Sequence, residues 1–125
     1  NKLLYICKKK LNTNGKIIIL SLDPKKNEIP AFNLMKNRLK KSLIRDESYF
    51  NLIIKNNPKT IIRNFIFSVR ISKTKYLQMI KDRYISTLLN FSDKQISDGL
   101  IEIRNKYKKE LKFKDRLICL IIKNN

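Results

Sequence analysis

Histidine and tryptophan are absent from this chain, glycine and cysteine occur twice each, and proline three times. Each shortage removes a class of chemistry. Without histidine there is no imidazole base, which excludes a Ser-His-Asp triad. With Cys7 and Cys119 alone, in no paired motif, a zinc centre is excluded as well. Two isolated cysteines do not form the disulfide framework of a small secreted domain; they read as reduced, small apolar side chains of a cytoplasmic protein. No apolar run approaches the ~20 residues of a membrane span, and no signal peptide is visible, so no membrane partner is expected. An initiator methionine is also missing, and an amphipathic pattern starts at residue 1 with no room for a helix cap. The 125 residues are enough for one modest core, so residues 1–125 read as a single partial domain truncated at its N-terminal side.

Acidic residues are scarce too: 10 Asp and Glu stand against 29 Lys and Arg, a net charge of +19. Clustered basic side chains attract polyanions by counterion release, so a small basic nucleic-acid-binding protein is the alternative that charge suggests. Against it, lysine, asparagine and isoleucine are abundant together, so composition drift explains much of the charge. The basic residues also occur in every segment, and the densest groups, Lys8–Lys10 and Lys106–Lys109, fall at helix ends, where they favour the negative end of the helix dipole. Phenylalanine and tyrosine lie mostly on apolar faces and not among the lysines. Nucleic-acid binding is therefore expected to be weak and non-specific.

What the chain does contain is organised around residues 11–23. A helix pattern with Leu3, Leu4, Cys7 and Leu11 on one side stops at Asn14-Gly15, where glycine is expected to take the left-handed conformation that ends helices. Ile17 to Leu20 then run without polar alternation. Both faces of such a strand should be covered, as in α/β sheets. Asp23-Pro24 ends the strand at its carboxyl end, where α/β sheets place their ligand crevice.

Beyond a polar loop with two prolines, Phe32, Met35, Leu39 and Leu43 recur at helical spacing. Arg45-Asp46-Glu47-Ser48 is expected to interrupt this helix, with a second piece from Tyr49 to Lys55 stopped before Pro58. Thr60 to Ile71, rich in branched and aromatic residues, reads as a strand. Ser72 to Leu89 reads as a helix with the stripe Leu77, Ile80, Tyr84 and Leu88. Ser92-Asp93-Lys94-Gln95 is a capping box opening another helix, with Ile96, Leu100, Ile103 and Tyr107 inward. Leu111 to Ile122 alternates at first and then becomes wholly apolar, as a strand does that starts at a sheet margin and finishes between neighbours. The last strand is accordingly expected between the other two and antiparallel to both.

Four segments in this order resemble the C-terminal half of class I S-adenosylmethionine-dependent methyltransferases of the small-molecule group. They are Lys9 to Ile19 (helix, turn, strand), Tyr49 to Phe67, Tyr76 to Leu88 with Phe91-Ser92-Asp93 and Gly99, and Phe113 to Ile122. Thr13 and Asn14 stand where the family usually has Pro and Gly, and Asn56-Asn57-Pro58 replaces the usual Gly-Phe. The resemblance implies an α/β fold, the C-terminal part of a Rossmann-like seven-stranded sheet. Strands five to seven are present, the last antiparallel, with cap helices. It also implies that S-adenosyl-L-methionine is bound by the absent N-terminal half, so the chain alone should be inactive, and that this half positions a small-molecule methyl acceptor.

Methyl transfer needs little acid-base equipment, since a sulfonium is a strong electrophile and in-line positioning supplies much of the rate. Candidate substrate-side residues are Asp23 and Glu28 after the first strand and Tyr76, Arg83, Tyr84 and Thr87 on the expected cap helix. Arg83 leads them, since a guanidinium amid an apolar stripe either pairs with Asp82 or Asp115 or meets an anionic substrate. Isolated, the chain is expected to be poorly stable or to self-associate, because its first strand would lack a neighbour.

Overall fold

A computed structural model describes residues 2–123. In chain order these form α1 (Lys2–Lys9), β1 (Lys16–Leu22), α2 (Asn33–Asn56), β2 (Ile61–Ser72), α3 (Lys73–Lys81), a 3-10 turn (Ser86–Leu88), α4 (Asp93–Lys106) and β3 (Glu110–Lys123). The three strands make one sheet in the order β1-β3-β2, with β3 antiparallel to both neighbours. This is the arrangement expected from the last strand's pattern, and its register shows why. Residues 117–121 of β3 pair on both sides, with β1 and with β2, whereas residues 110–116 pair with β2 alone and 122–123 with β1 alone. The continuous apolar run from Leu117 to Ile122 covers the whole doubly flanked part and one residue more, and the alternating part is flanked by β2 alone. Because both outer strands oppose β3, β1 and β2 run parallel to each other, joined through α2.

The main core gathers Phe32, Met35, Tyr76, Ile80, Leu88, Phe91, Ile96, Ile103 and Leu111. It lies where α2, α3 and α4 meet the start of β3. Leu39, Leu43 and Phe50 extend the apolar stripe of α2 beyond it. The capping box opens α4 as expected. Gln95 N–H donates to Ser92 Oγ at 3.2 Å and Ser92 N–H to Gln95 Oε1 at 2.9 Å.

Four local expectations are corrected. The stretch Arg45–Ser48 does not break the helix; α2 is continuous over 24 residues. Polar residues without Gly or Pro do not stop a helix when their side chains are satisfied locally. Here Arg45 reaches Ser42 at 3.0 Å and Ser48 Oγ donates to the Ile44 carbonyl at 3.2 Å. The helix expected from Ser72 to Leu89 instead ends at Lys81, with Arg83 in the left-handed region at φ 54. The chain turns there because guanidinium bonds to the Leu88 and Phe91 carbonyls hold the reversal. At the end of the α1 segment the left-handed residue is Asn14 (φ 65), not Gly15. Gly15 is required for closeness instead: a Cβ there would meet the Asn12 carbonyl oxygen at 2.9 Å.

Finally, β1 is not covered on both faces. Ile18 is 65% and Leu20 58% exposed. Pairing registers put them on the same sheet face as Phe65 and Phe67 of β2, which are also exposed. The sheet thus leaves β1 at an edge with an open apolar face beside it.

Candidate functional site

The carboxyl ends of the parallel strands β1 and β2 and the start of β3 border a cleft of about 450 Å³. Leu22, Val69, Ile71 and Phe113 form its sheet wall, Leu39, Ser42, Leu43 and Asp46 of α2 one side, and Tyr76, Met79, Tyr84 and Thr87 another. Register explains the first group. Phe113 pairs with Val69 and Asp115 with Phe67, so these side chains share the face that also carries Ile18 and Leu20. The cleft is therefore the covered end of an otherwise open sheet face.

Tyr76 enters from α3, whose start is capped by Ser72 Oγ accepting from Lys75 N–H at 3.3 Å. Its hydroxyl lies 2.5 Å from the Pro30 carbonyl oxygen and 3.2 Å from the Tyr84 hydroxyl. A phenol has one proton to donate. Tyr76 gives its proton to the carbonyl, so Tyr84 must donate to Tyr76, and the chain of bonds runs Tyr84 to Tyr76 to Pro30. The rings of these tyrosines stand edge to face at 6.0 Å, and Phe113 lies 6.3 Å from Tyr76 in the same manner. Burial, reinforced by Tyr84, pushes the Tyr76 phenol far up. Burial, opposed by the hydrogen bond to Tyr76 and aided by the Asp115 carboxylate, pushes Tyr84 up as well. Neither phenol is a base at neutral pH. Both are fixed dipoles and apolar walls.

Of the six residues expected to bind substrate, the structure brings together Tyr76, Tyr84 and Thr87 at this cleft. Arg83 faces elsewhere. Its Nη1 donates to the carbonyls of Leu88 at 2.7 Å and Phe91 at 2.6 Å, and its Nη2 to Asp93 at 2.8 Å. The partner is thus Asp93, in place of Asp82 or Asp115, and the guanidinium acts as a clasp for the 3-10 turn. Asp23 closes a local turn, Oδ1 accepting from Lys25 N–H at 2.9 Å, and borders a separate depression with Phe50 and Arg116. Glu28 is paired with Arg116 at 2.6 Å and lies at a third depression with Pro24 and Tyr107.

Sequence reasoning missed Asp115 and Asp46. The signal for Asp115 was present: the alternation of β3 places it in phase with Leu111, Phe113 and Leu117, where a carboxylate is out of character. Its Oδ1 is buried and has no hydrogen-bond partner. Asp46 has no such signal, since its place at the cleft depends on the unbroken course of α2; its Oδ1 is 3.2 Å from Arg45.

No protein-family model matches this chain, and neither does any curated protein. Among the described residues, no group of Cys, Asp and Glu side chains could hold a metal ion, and no helix is long and apolar enough to cross a membrane. Both cysteines are free, Cys119 buried and Cys7 half-buried.

Proposed function

We propose that this chain is the C-terminal part of an S-adenosylmethionine-dependent methyltransferase and that its cleft seats a small-molecule methyl acceptor. The observation that carries the reading is the sheet: a final antiparallel strand inserted between two strands that run parallel, with β1 left at an edge. The resemblance implies this order for strands five, seven and six, and the free edge of β1 fits a neighbouring strand that this chain does not contain. The open face of Ile18, Leu20, Phe65 and Phe67 supports the reading further, since a doubly wound sheet has helices on both faces.

The chain's own residues do not make a cradle for the cofactor. Of its two glycines, Gly15 precedes β1 and Gly99 is buried in α4 against Phe32, so neither opens a turn after a strand. Cofactor binding is assigned to an upstream half, and no chemical step is derived through it. What this chain supplies is an apolar cleft walled by Tyr76, Tyr84 and Phe113 that excludes water from an acceptor and holds it in one orientation.

The test is calorimetry with S-adenosylmethionine on this chain and on the chain extended upstream in its gene. Binding by the extended chain only is the expected result. Tight binding by the short chain, or none by a folded extended one, refutes the reading.

One observation favours the nucleic-acid alternative: Arg63, Phe65 and Phe67 share an exposed face of β2, as base-stacking aromatics do. Ile18 and Leu20 on the same face argue instead for an apolar covering layer. Binding to single-stranded nucleic acid is expected to be weak, indifferent to sequence and lost near physiological salt. Sequence-selective binding at that salt would favour the alternative.

A further inference from the structure

In a chain with 29 Lys and Arg, no Lys or Arg lines the cleft at the strand ends, while two carboxylates, Asp46 and Asp115, do. Asp46 is matched by Arg45 at 3.2 Å. Asp115 is not matched. Its neighbour Arg116 lies in the opposite phase of β3 and is bound to Glu28 at 2.6 Å. The residue across from Asp115 on β2 is Phe67. The two tyrosine hydroxyls cannot help, because Tyr84 spends its proton on Tyr76 and Tyr76 on the Pro30 carbonyl, and no serine or threonine hydroxyl of the cleft bonds to the buried oxygen. One oxygen of Asp115 therefore remains buried without a donor. A half-turn about the terminal torsion of an aspartate exchanges its two oxygens, so either can serve a group arriving from the cleft.

A carboxylate left unpaired in an apolar cleft is costly unless a donor completes it. The rings of Tyr76, Tyr84 and Phe113 line the same cleft, and an aromatic face favours a positive charge over a negative one. We infer that the cleft recognises its ligand through a protonated amine that donates to Asp115, the apolar remainder of the ligand lying against Phe113, Val69 and Met79. The amine is a recognition group, not the atom that receives a methyl. The inference rests on the proposed function only in taking the cleft as the acceptor's seat; the charge of the ligand is read from Asp115 and the absence of lining cations.

On the far side of Ser42, Ser86 and Thr87 lies a separate basic ridge of Arg38, Lys41 and Arg45. An anion would be drawn there and not to Asp115, which gives the experiment two places to look.

The experiment is an NMR titration of this chain, without cofactor, with three probes of like size: 2-phenylethylamine, 2-phenylethanol and 3-phenylpropionate. The amine should bind most tightly and shift the amides of Phe113, Asp115 and Tyr84. Asp115→Asn should weaken the amine roughly ten- to a hundredfold, the scale of a charge-assisted hydrogen bond, and leave the alcohol unchanged. Asp46→Asn, whose carboxylate already has a partner, should change amine binding by less than about threefold. Equal binding of all three probes, failure of the amine to shift these residues, or an amine preference that survives in Asp115→Asn overturns the inference. If Asp115→Asn does not fold, the amine's preference over the two other probes on the native chain decides. Cofactor binding is read separately on the extended chain, so either idea can fail without the other.

Discussion

Replacing Gly99 by alanine tests the packing that fixes α4 against α2. In an exposed helix this change is favourable by up to ~1 kcal/mol, because alanine is the best helix former and glycine among the worst. Here the methyl would stand 2.6 Å from Cγ and Cδ1 of Phe32 and 2.7 Å from Cδ2. Carbon atoms prefer about 3.5–4.0 Å, so the overlap is roughly 1 Å along the face of the ring. The ring cannot withdraw easily. Phe32 is 2% exposed, sits in the main core with Met35, and has Phe91 at 5.8 Å between ring centres. Overpacking of this kind costs about 1–3 kcal/mol, which exceeds the propensity gain, and the net expectation is a loss of ~1–2 kcal/mol. For a domain of this size that corresponds to a fall in Tm of about 3–8 °C. Urea unfolding followed by far-UV circular dichroism measures it. Adding Phe32→Leu should recover part of the loss, so that the double variant is less destabilised than the sum of the singles. A Gly99→Ala protein more stable than the parent would refute the reasoning, because propensity alone would then govern the position.

Other outcomes follow from the same geometry. Arg83→Ala should cost ~2–3 kcal/mol by leaving two carbonyls without a charged donor, and Arg83→Gly about 1 kcal/mol less, since glycine accepts the positive φ; equal stability of the two variants would contradict the strain. Tyr76 and Tyr84 have phenols raised above their unfolded value, so their contribution is intact below pH ~10 and is lost as pH climbs towards their folded values. Ultraviolet titration should show these two ionising only together with alkaline unfolding; two such phenols ionising reversibly in the folded chain near pH ~10 would oppose it. Leu20→Lys, on the open face, should leave Tm within about 0.5 kcal/mol-equivalent of the parent and raise the monomer fraction in light scattering. Unchanged association would mean that this face is not the sticky one.

The amino-acid sequence by itself determined the elements whose causes are local or periodic. Ser92 and Gln95 cap α4 because both partners of the box lie within one turn. β3 takes the middle of the sheet because its apolar run demands neighbours on both sides. Tyr76, Tyr84 and Thr87 reach the cleft, although by a helix, a left-handed residue and a 3-10 turn instead of one long helix.

Tertiary structure decided the rest, because the deciding partners are distant in the chain. Asn33 N–H at the start of α2 is satisfied by Glu102 of α4 at 2.9 Å, a cap that no neighbour of Asn33 announces. Arg83 chose the carbonyls of Leu88 and Phe91 over a substrate's charge because the chain reverses beneath it, and Glu28 chose Arg116, 88 residues away. Asp115 became a lone carboxylate only when pairing with β2 set it opposite Phe67 and the two tyrosines turned their protons towards Pro30. Periodicity reports which side of an element is apolar; only the fold determines which polar groups on that side find partners, and the buried carboxylate oxygen left without one at the cleft is where a ligand can bind.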